Sequence, residues 1–219
     1  MNLEQLISPS IPTLSGSDSG TRALDLMQDN NVSQLPLVTD DQYVALIQEN
    51  DVLDWDEPQT PLEKSDLLNY KPAMSIMAHP FEALRIFDQM NLSILPVVDN
   101  DHKYLGSITK DSLLKYITEN SGILNPGGII VLEIAPRNYT LYDIARICEN
   151  EDVIILNLQV HTNEQGMLEV TLKLNRSGLD AVVSSFERHE YKVLEVYGEQ
   201  VNKEDITDKY RLLMNYLNM

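Results

Sequence analysis

Apolar positions along this chain recur with two different spacings. Ala83, Ile86, Phe87 and Met90 fall at i, i+3, i+4 and i+7, the stripe of a helix with one buried side. Ala23, Leu26 and Met27 predict the same helix earlier in the chain. Each helix is followed by a short apolar run holding a proline, Leu35-Pro36-Leu37-Val38 or Leu95-Pro96-Val97-Val98, which predicts a strand with the proline near its start. Acidic turns at 40–41 and 99–101 come next, then second strands near 43–48 and 104–108. A helix closes each stretch, with Leu113, Leu114 and Ile117 as its apolar side in the second. A short extended piece after Pro12 or Pro72 opens each. The order is βαββα, twice.

The two stretches align directly. "VSQLPLVTDDQYVALIQENDVL" from Val32 and "LSILPVVDNDHKYLGSITKDSL" from Leu92 share Ser33/Ser93, Leu35/Leu95, Pro36/Pro96, Val38/Val98, Asp41/Asp101, Asp51/Asp111 and Leu53/Leu113 at one ungapped offset. Those are seven of 22 positions, where average usage gives about one or two. Pro12/Pro72, Ala23/Ala83, Leu24/Leu84 and Asn31/Asn91 keep the same offset upstream. The reading is an internal repeat, residues 1–60 and 61–120, with "DEPQTPLEKSD" at 56–66 as the linker.

"SGILNPGG" at 121–128 breaks the pattern. Beyond it, 128–200 reads as strand 129–134, a helix from Thr140 with Leu141, Ile144, Ala145 and Cys148 on one face, and a strand with Ile154, Leu156, Leu158 and Val160 inward. "EQGM" turns the chain into "LEVTLKLN", where Leu168, Val170, Leu172 and Leu174 alternate with polar residues. Ser177 and Asp180 start a second helix carrying Leu179, Val182, Val183 and Phe186, and "YKVLEVYG" is a last strand. This is βαββαβ, the ferredoxin-like order. A tail at 203–219 predicts an amphipathic helix with Ile206, Tyr210, Leu213, Met214 and Leu217 on one stripe.

Charge narrows the partners. With 16 basic against 34 acidic residues the net charge is −18, a surface that repels nucleic acid and anionic lipid, and no Lys/Arg run overrides it. No apolar stretch is long enough for a membrane span, so a cytoplasmic location is expected. The single cysteine, Cys148, forms no intrachain disulfide and reads as a buried small hydrophobe. None of His79, His102, His161 and His189 has a metal-ligand spacing, and no Gly-Lys-Ser/Thr follows "NPGG". A non-catalytic protein is expected.

On "SILPVVDND…LGSIT" and the weaker "SQLPLVTDD…VALIQ", residues 1–120 resemble a tandem pair of CBS domains, a Bateman module. The remainder, on its topology and "NEDVIILNLQVHTNEQGMLEVTLKL", looks like an ACT domain, and the order is similar to acetoin-utilisation-type CBS–ACT proteins. The fold class expected is thus α+β to α/β, a CBS pair with a ferredoxin-like, ACT-like domain. The resemblance implies a regulatory sensor that holds an adenosine-containing ligand (AMP, ADP, ATP or S-adenosyl-methionine) between the two CBS units. It places the base near the Leu-Pro steps, Leu35-Pro36 and Leu95-Pro96, and the ribose on a Thr or Ser followed three residues later by Asp. Two adjacent hydroxyls suit one carboxylate.

In ungapped register those places are Thr109 and Ser112 in the second copy, Glu49 and Val52 in the first, so neither copy holds the full pair. Asp111 and Asp51 stand one step away, in positions that suit helix capping. Lys110, with Lys103 and Lys71, is the candidate cation for phosphate, and the second copy reads as the better site. In the ACT-like part, Asn138 stands where a ligand-approaching glycine is expected and Arg137 is the nearby cation. A homodimer and a regulated enzyme or other protein partner are implied. The alternative is a ligand-free oligomerisation and docking module with decayed nucleotide sites.

Overall fold

The computed structural model describes residues 3–8 and 10–198. The tail expected at 203–219 lies outside the described residues. The chain divides into two compact units, Met1–Ile117 and Thr118–Met219.

In the first unit, helix α1 spans Gly20–Asn30 and helix α3 spans Pro80–Met90. The hydroxyl of Ser19 accepts from the Arg22 N–H at 3.2 Å and the Nδ1 of His79 accepts from the Phe81 N–H at 3.1 Å, so each start is capped by a side chain. Both helices end on an asparagine in the left-handed region, Asn31 and Asn91. Ala23 and Met27, then Ala83 and Phe87, are the buried positions. Met90 is 45% exposed, so the stripe is narrower than its apolar spacing predicts.

Strands β1 (Gln34–Thr39) and β2 (Gln42–Gln48) pair antiparallel, and helix α2 (Glu49–Leu53) follows. The second copy has strands β3 (Met74–Ser75), β4 (Ile94–Val98) and β5 (Tyr104–Thr109), then helix α4 (Lys110–Asn120). β3 lies parallel to β4, and β4 antiparallel to β5. Its counterpart in the first copy shrinks to Leu14, which bridges Leu37 in parallel. β1 and β4 are buried along most of their length, as apolar runs holding a proline require.

The copies exchange their leading segments. Leu3 and Leu6, from the first copy's start, sit in the core of the second with Phe87, Leu95 and Ile108. Leu62, with Leu67 and Leu68 against it, sits in the core of the first with Met27, Leu35 and Ile47. Ser8 donates to the Ser107 carbonyl and Leu46 to the Tyr70 carbonyl, each at 2.8 Å, so each segment adds a bond to the other copy's second strand. Gly106, at φ 144°, lets Ile7 come close: a Cβ there would lie 2.3 Å from the Ile7 Cγ2. The stretch read as a linker, 56–66, is therefore packed, with Leu62 fully buried. The hairpin tips also join, Tyr43 N–H to the His102 carbonyl at 3.2 Å and Tyr104 N–H to the Asp41 carbonyl at 2.8 Å.

The second unit has strand β6 (Ile129–Ile134), helix α5 (Leu141–Asn150), strands β7 (Ile155–Thr162) and β8 (Leu168–Leu174), helix α6 (Asp180–Arg188) and strand β9 (Lys192–Tyr197). The sheet order is β7-β8-β6-β9, antiparallel throughout, which is the ferredoxin-like βαββαβ arrangement. Alternate residues Ile130, Leu132 and Val170, Leu172, Leu174 face Ile144, Ile147, Val182 and Phe186. The Asp143 N–H bonds the Thr140 hydroxyl at 3.1 Å, as the cap signal predicts. Three expectations change. Leu141 is 54% exposed and Ala145 is exposed as well, while Ile147 joins Ile144 and Cys148 in the core, because the buried stripe is turned toward Ile147. Ile154 and Val160 are 61% and 45% exposed, because the strand begins at Ile155 with a bulge before Asn157 and runs past the helices. Helix α6 is entered from Leu179, which caps with no side-chain bond, instead of from Ser177.

Cys148 is 1% exposed, and burial pushes its thiol up to about 11. At pH 8 the thiolate is then about a thousandth of the population. A thiol reagent such as Ellman's is expected to label nothing in the folded chain and one thiol after denaturation; stoichiometric labelling before denaturation would contradict the burial.

Candidate functional site

Strand register fixes which residues of the two copies correspond. Gln34 faces Gln48 as Ile94 faces Thr109, and Leu35 faces Ile47 as Leu95 faces Ile108. Tyr43 therefore corresponds to Tyr104, Gln48 to Thr109 and Asp51 to Ser112. The offset is 60 up to the turn and 61 after it, because β1 and β2 join through the two left-handed residues Asp40 and Asp41 while the second turn is one residue longer. Burial agrees. Val52 and Leu113 are 1% and 2% exposed, and Leu53 and Leu114 are 63% each. The ungapped match of Glu49 and Val52 with Thr109 and Ser112 is thus corrected. The first copy carries a carboxylate, Asp51, at the place three residues into the helix.

The two helix starts use these groups differently. The Gln48 amide donates to Asp51 at 2.9 Å, and Asp51 is half-buried. In the second copy the Ser112 N–H donates to the Thr109 hydroxyl at 3.0 Å, the Thr109 N–H to the Ser112 hydroxyl at 3.1 Å, and the Ser112 hydroxyl to the Thr109 carbonyl at 3.0 Å. This reciprocal pattern caps α4 and closes on itself. Lys110 and Asp111 are exposed, and Asp111 corresponds to Asn50.

The Leu-Pro steps are less available than the family pattern implies. Leu35 and Leu95 are fully buried core residues. The Pro36 carbonyl accepts from Leu14 at 2.8 Å, and Pro96 is buried in β4. Lys103 pairs with Asp41 at 3.1 Å on the hairpin tips, a solvent-screened contact of little energetic weight. Lys71 is exposed.

The copies meet in a polar notch of about 250 Å³. Ser33, Gln34, Gln48 and Glu49 line it from the first copy, Ser93 and Lys110 from the second. Gln34 is buried, and its side-chain oxygen accepts from the Ser93 N–H at 2.7 Å and the Ser93 hydroxyl at 2.5 Å, while the Ser33 N–H bonds that hydroxyl at 3.0 Å. Glu49 from the first copy and Lys110 from the second put one anion and one cation at the notch. Gln48 links this notch to Asp51. The phenol of Tyr70 is raised from its ordinary range by burial and then by the nearby Asp51 charge. Tyr43 is held protonated well above its ordinary range, by burial first, and donates to the Pro72 carbonyl at 2.8 Å.

Sequence reasoning missed Gln34, Gln48 and Tyr70. The identity Ser33/Ser93 pointed to the notch, and a one-residue gap pairing Tyr43 with Tyr104 would have found Gln48 opposite Thr109. Tyr70 carried no local signal.

In the second unit, Asn138 lines a cavity of about 550 Å³ together with Asp143, Arg146, His189 and Lys192, whereas Arg137 is exposed. Lys192 pairs with Glu133 at 2.6 Å, and Arg146 with Asp143 at 3.4 Å. Among the described residues no group of three or more His, Cys, Asp and Glu could hold a metal ion. No helix among them is long and apolar enough to cross a membrane.

Residues 3–57 and 73–119 match the sequence profile of the CBS domain. Among solved structures, a CBS domain pair/ACT domain protein from Thermotoga maritima is 18% identical with a TM-score of 0.47, over 54% of this chain and 98% of its own. CBSX2 in complex with AMP is 23% identical with a TM-score of 0.46, over 54% and 96%. CbpB in complex with c-di-AMP is 21% identical with a TM-score of 0.45, over 54% and 85%.

Proposed function

From the premise that residues 3–57 and 73–119 are a tandem pair of CBS domains, we propose that the first unit is a regulatory sensor for an adenosine-containing ligand. The observation that carries the reading is the placement of Asp51. Its Oδ2 accepts from Gln48, which lines the notch, and its carboxylate stands at the place where the resemblance puts a ribose-binding Asp. Lys110, across the notch, supplies charge for a phosphate, and Tyr70 beside Asp51 supplies a flat face for a base. The ligand site then belongs to the first copy, with the second contributing the cation. The second unit transmits the bound state or pairs subunits, as the order of units in acetoin-utilisation-type CBS–ACT proteins suggests by likeness. Coupling requires the ligand to favour one arrangement over another. A regulated enzyme or other protein partner completes the role.

Thermal unfolding with millimolar AMP, ADP, ATP or S-adenosyl-methionine tests this. One of them is expected to raise the midpoint. Asp51→Asn and Lys110→Ala are each expected to weaken binding about tenfold or more, which is the loss of one charge-assisted bond. Thr109→Ala is expected to leave affinity within about twofold while removing a helix cap worth about 1 kcal/mol. Loss of the shift in Thr109→Ala but not in Asp51→Asn would move the site to the second copy.

A second reading, a ligand-free oligomerisation and docking module, is supported by the closed Thr109–Ser112 box and by Gln34, which already spends its oxygen on Ser93. An unmoved midpoint for all four ligands would favour it.

A further inference from the structure

One donor at the junction of the two CBS copies is left unused among the described residues. Gln34 opens β1 at 7% exposure, where the second copy has the fully buried Ile94. An amide in the place of an alkyl group costs burial energy unless its polar atoms find partners. Its Oε1 finds two, the Ser93 N–H and the Ser93 hydroxyl. Those bonds fix which end of the amide is which, because the opposite setting would put its N–H2 against the Ser93 N–H, donor against donor. The Nε2 end donates to none of the described residues. Among those residues no fully buried side-chain nitrogen or oxygen lacks a partner, so this nitrogen keeps an opening, and the polar notch that Gln34 lines is where it opens.

We propose that the Gln34 amide and the Lys110 ammonium together hold one phosphoryl group in the notch, and that Glu49 limits the ligand to that one. The chain then binds a nucleoside 5′-monophosphate in preference to its di- and triphosphate. The inference rests on the adenosine reading above and adds to it a specificity-determining residue and the phosphate count. A neutral amide and one ammonium match a small anion: the ammonium supplies charge, and the amide a directed bond without more charge. Lys110 is the one cation among the described residues lining the notch, while Glu49 lines it too and Asp51 stands behind Gln48. Two further phosphates would bring anionic charge that meets carboxylates there. Like charges a few ångströms apart in a half-buried place repel strongly, and the chain's net charge of −18 adds to the repulsion. Lys103 gives no relief, since Asp41 engages it on the hairpin tips. Strand register relates Glu49 to Lys110 and Gln34 to Ile94, so the arrangement is one-sided and takes one ligand per chain.

Calorimetric titration of the full chain with adenosine, AMP, ADP and ATP, without divalent cations, tests this. AMP is expected to bind about tenfold or more tighter than adenosine, which lacks the phosphate, and than ATP, which carries too much charge. Glu49→Gln is expected to bring ATP to within about threefold of AMP by strengthening ATP, with AMP no weaker. Gln34→Glu keeps an oxygen for Ser93 and replaces the donor by a second oxygen. It is expected to weaken AMP about tenfold or more and to leave adenosine within about twofold. Gln34→Met, uncharged and of similar length, is expected to show the same split and serves where the buried carboxylate prevents folding. ATP as tight as AMP, adenosine as tight as AMP, an unchanged AMP-to-ATP ratio in Glu49→Gln, or full AMP affinity in a folded Gln34 variant would each overturn the inference and leave the adenosine reading standing. Binding by none of the four would end both.

Discussion

Gly127→Ala is expected to destabilise the C-terminal unit by about 2–6 kcal/mol. Gly127 has φ 139°, a conformation that L side chains rarely adopt, and an added Cβ would lie 1.9 Å from the Leu174 carbonyl oxygen and 2.9 Å from its carbon. Backbone strain of this kind costs about 1–3 kcal/mol and overpacking about as much again. The obstacle cannot rotate away, because it is main chain held in a ladder: Leu174 donates to the Gly128 carbonyl at 2.9 Å and Gly128 to the Arg176 carbonyl at 2.7 Å. The Lys173 ammonium also bonds the Gly127 carbonyl at 2.9 Å. Urea unfolding with two probes separates the units. Trp55, the single tryptophan, packs in the first unit, so its fluorescence midpoint is expected to stay while part of the far-UV dichroism melts early. Coincident, unshifted curves in both probes would show that the close approach of Gly127 to Leu174 is not needed.

Leu62→Ala is the second large effect, about 2–5 kcal/mol on the first unit. The residue lies within a stretch whose Pro, Glu, Asp and Thr content reads as a connector, yet it is fully buried among Leu14, Met27 and Leu35 with Trp55 against the same core. Removing three carbons leaves a cavity beside rigid strand residues that do not collapse into it. Trp55 fluorescence is the direct readout. Glu57→Ala, at an exposed place in the same stretch, is the control and is expected to change stability by less than about 0.5 kcal/mol. Equal effects from the two variants would return this stretch to the status of a passive tether.

The repeat was legible because each copy writes the same local devices: apolar stripe, proline-bearing strand, acidic turn. The helix caps at Thr140 and the alternation through Leu168–Leu174 were legible for the same reason. The change of offset from 60 to 61 was hidden by accident. Asp51/Asp111 and Leu53/Leu113 are identical in the ungapped register, and they mask the three identities of the shifted one, Tyr43/Tyr104, Ile47/Ile108 and Leu53/Leu114, which needs a gap. Strand register exposes the slip and burial agrees, since Val52 and Leu113 are inside while Leu53 and Leu114 are out. That one residue moved the candidate carboxylate from absent to present in the first copy. The expected helix face with Leu141 and Ala145 failed because Ile147 completes an equally apolar stripe with Ile144 and Cys148, and periodicity does not say which of two overlapping stripes meets the sheet.

The amino-acid order by itself determined the elements and their twofold repetition, since helix and strand periods, turn residues and caps act over a few neighbouring positions. It also determined the net charge of −18, which is a matter of counting. Tertiary structure alone decided which core each leading segment enters, where Gln34, Gln48, Glu49 and Lys110 stand around the notch, and which strands end the C-terminal sheet. Those depend on contacts between residues tens of positions apart, where Leu3 and Leu62 are each as apolar as the other and nothing local says whose neighbour either will be.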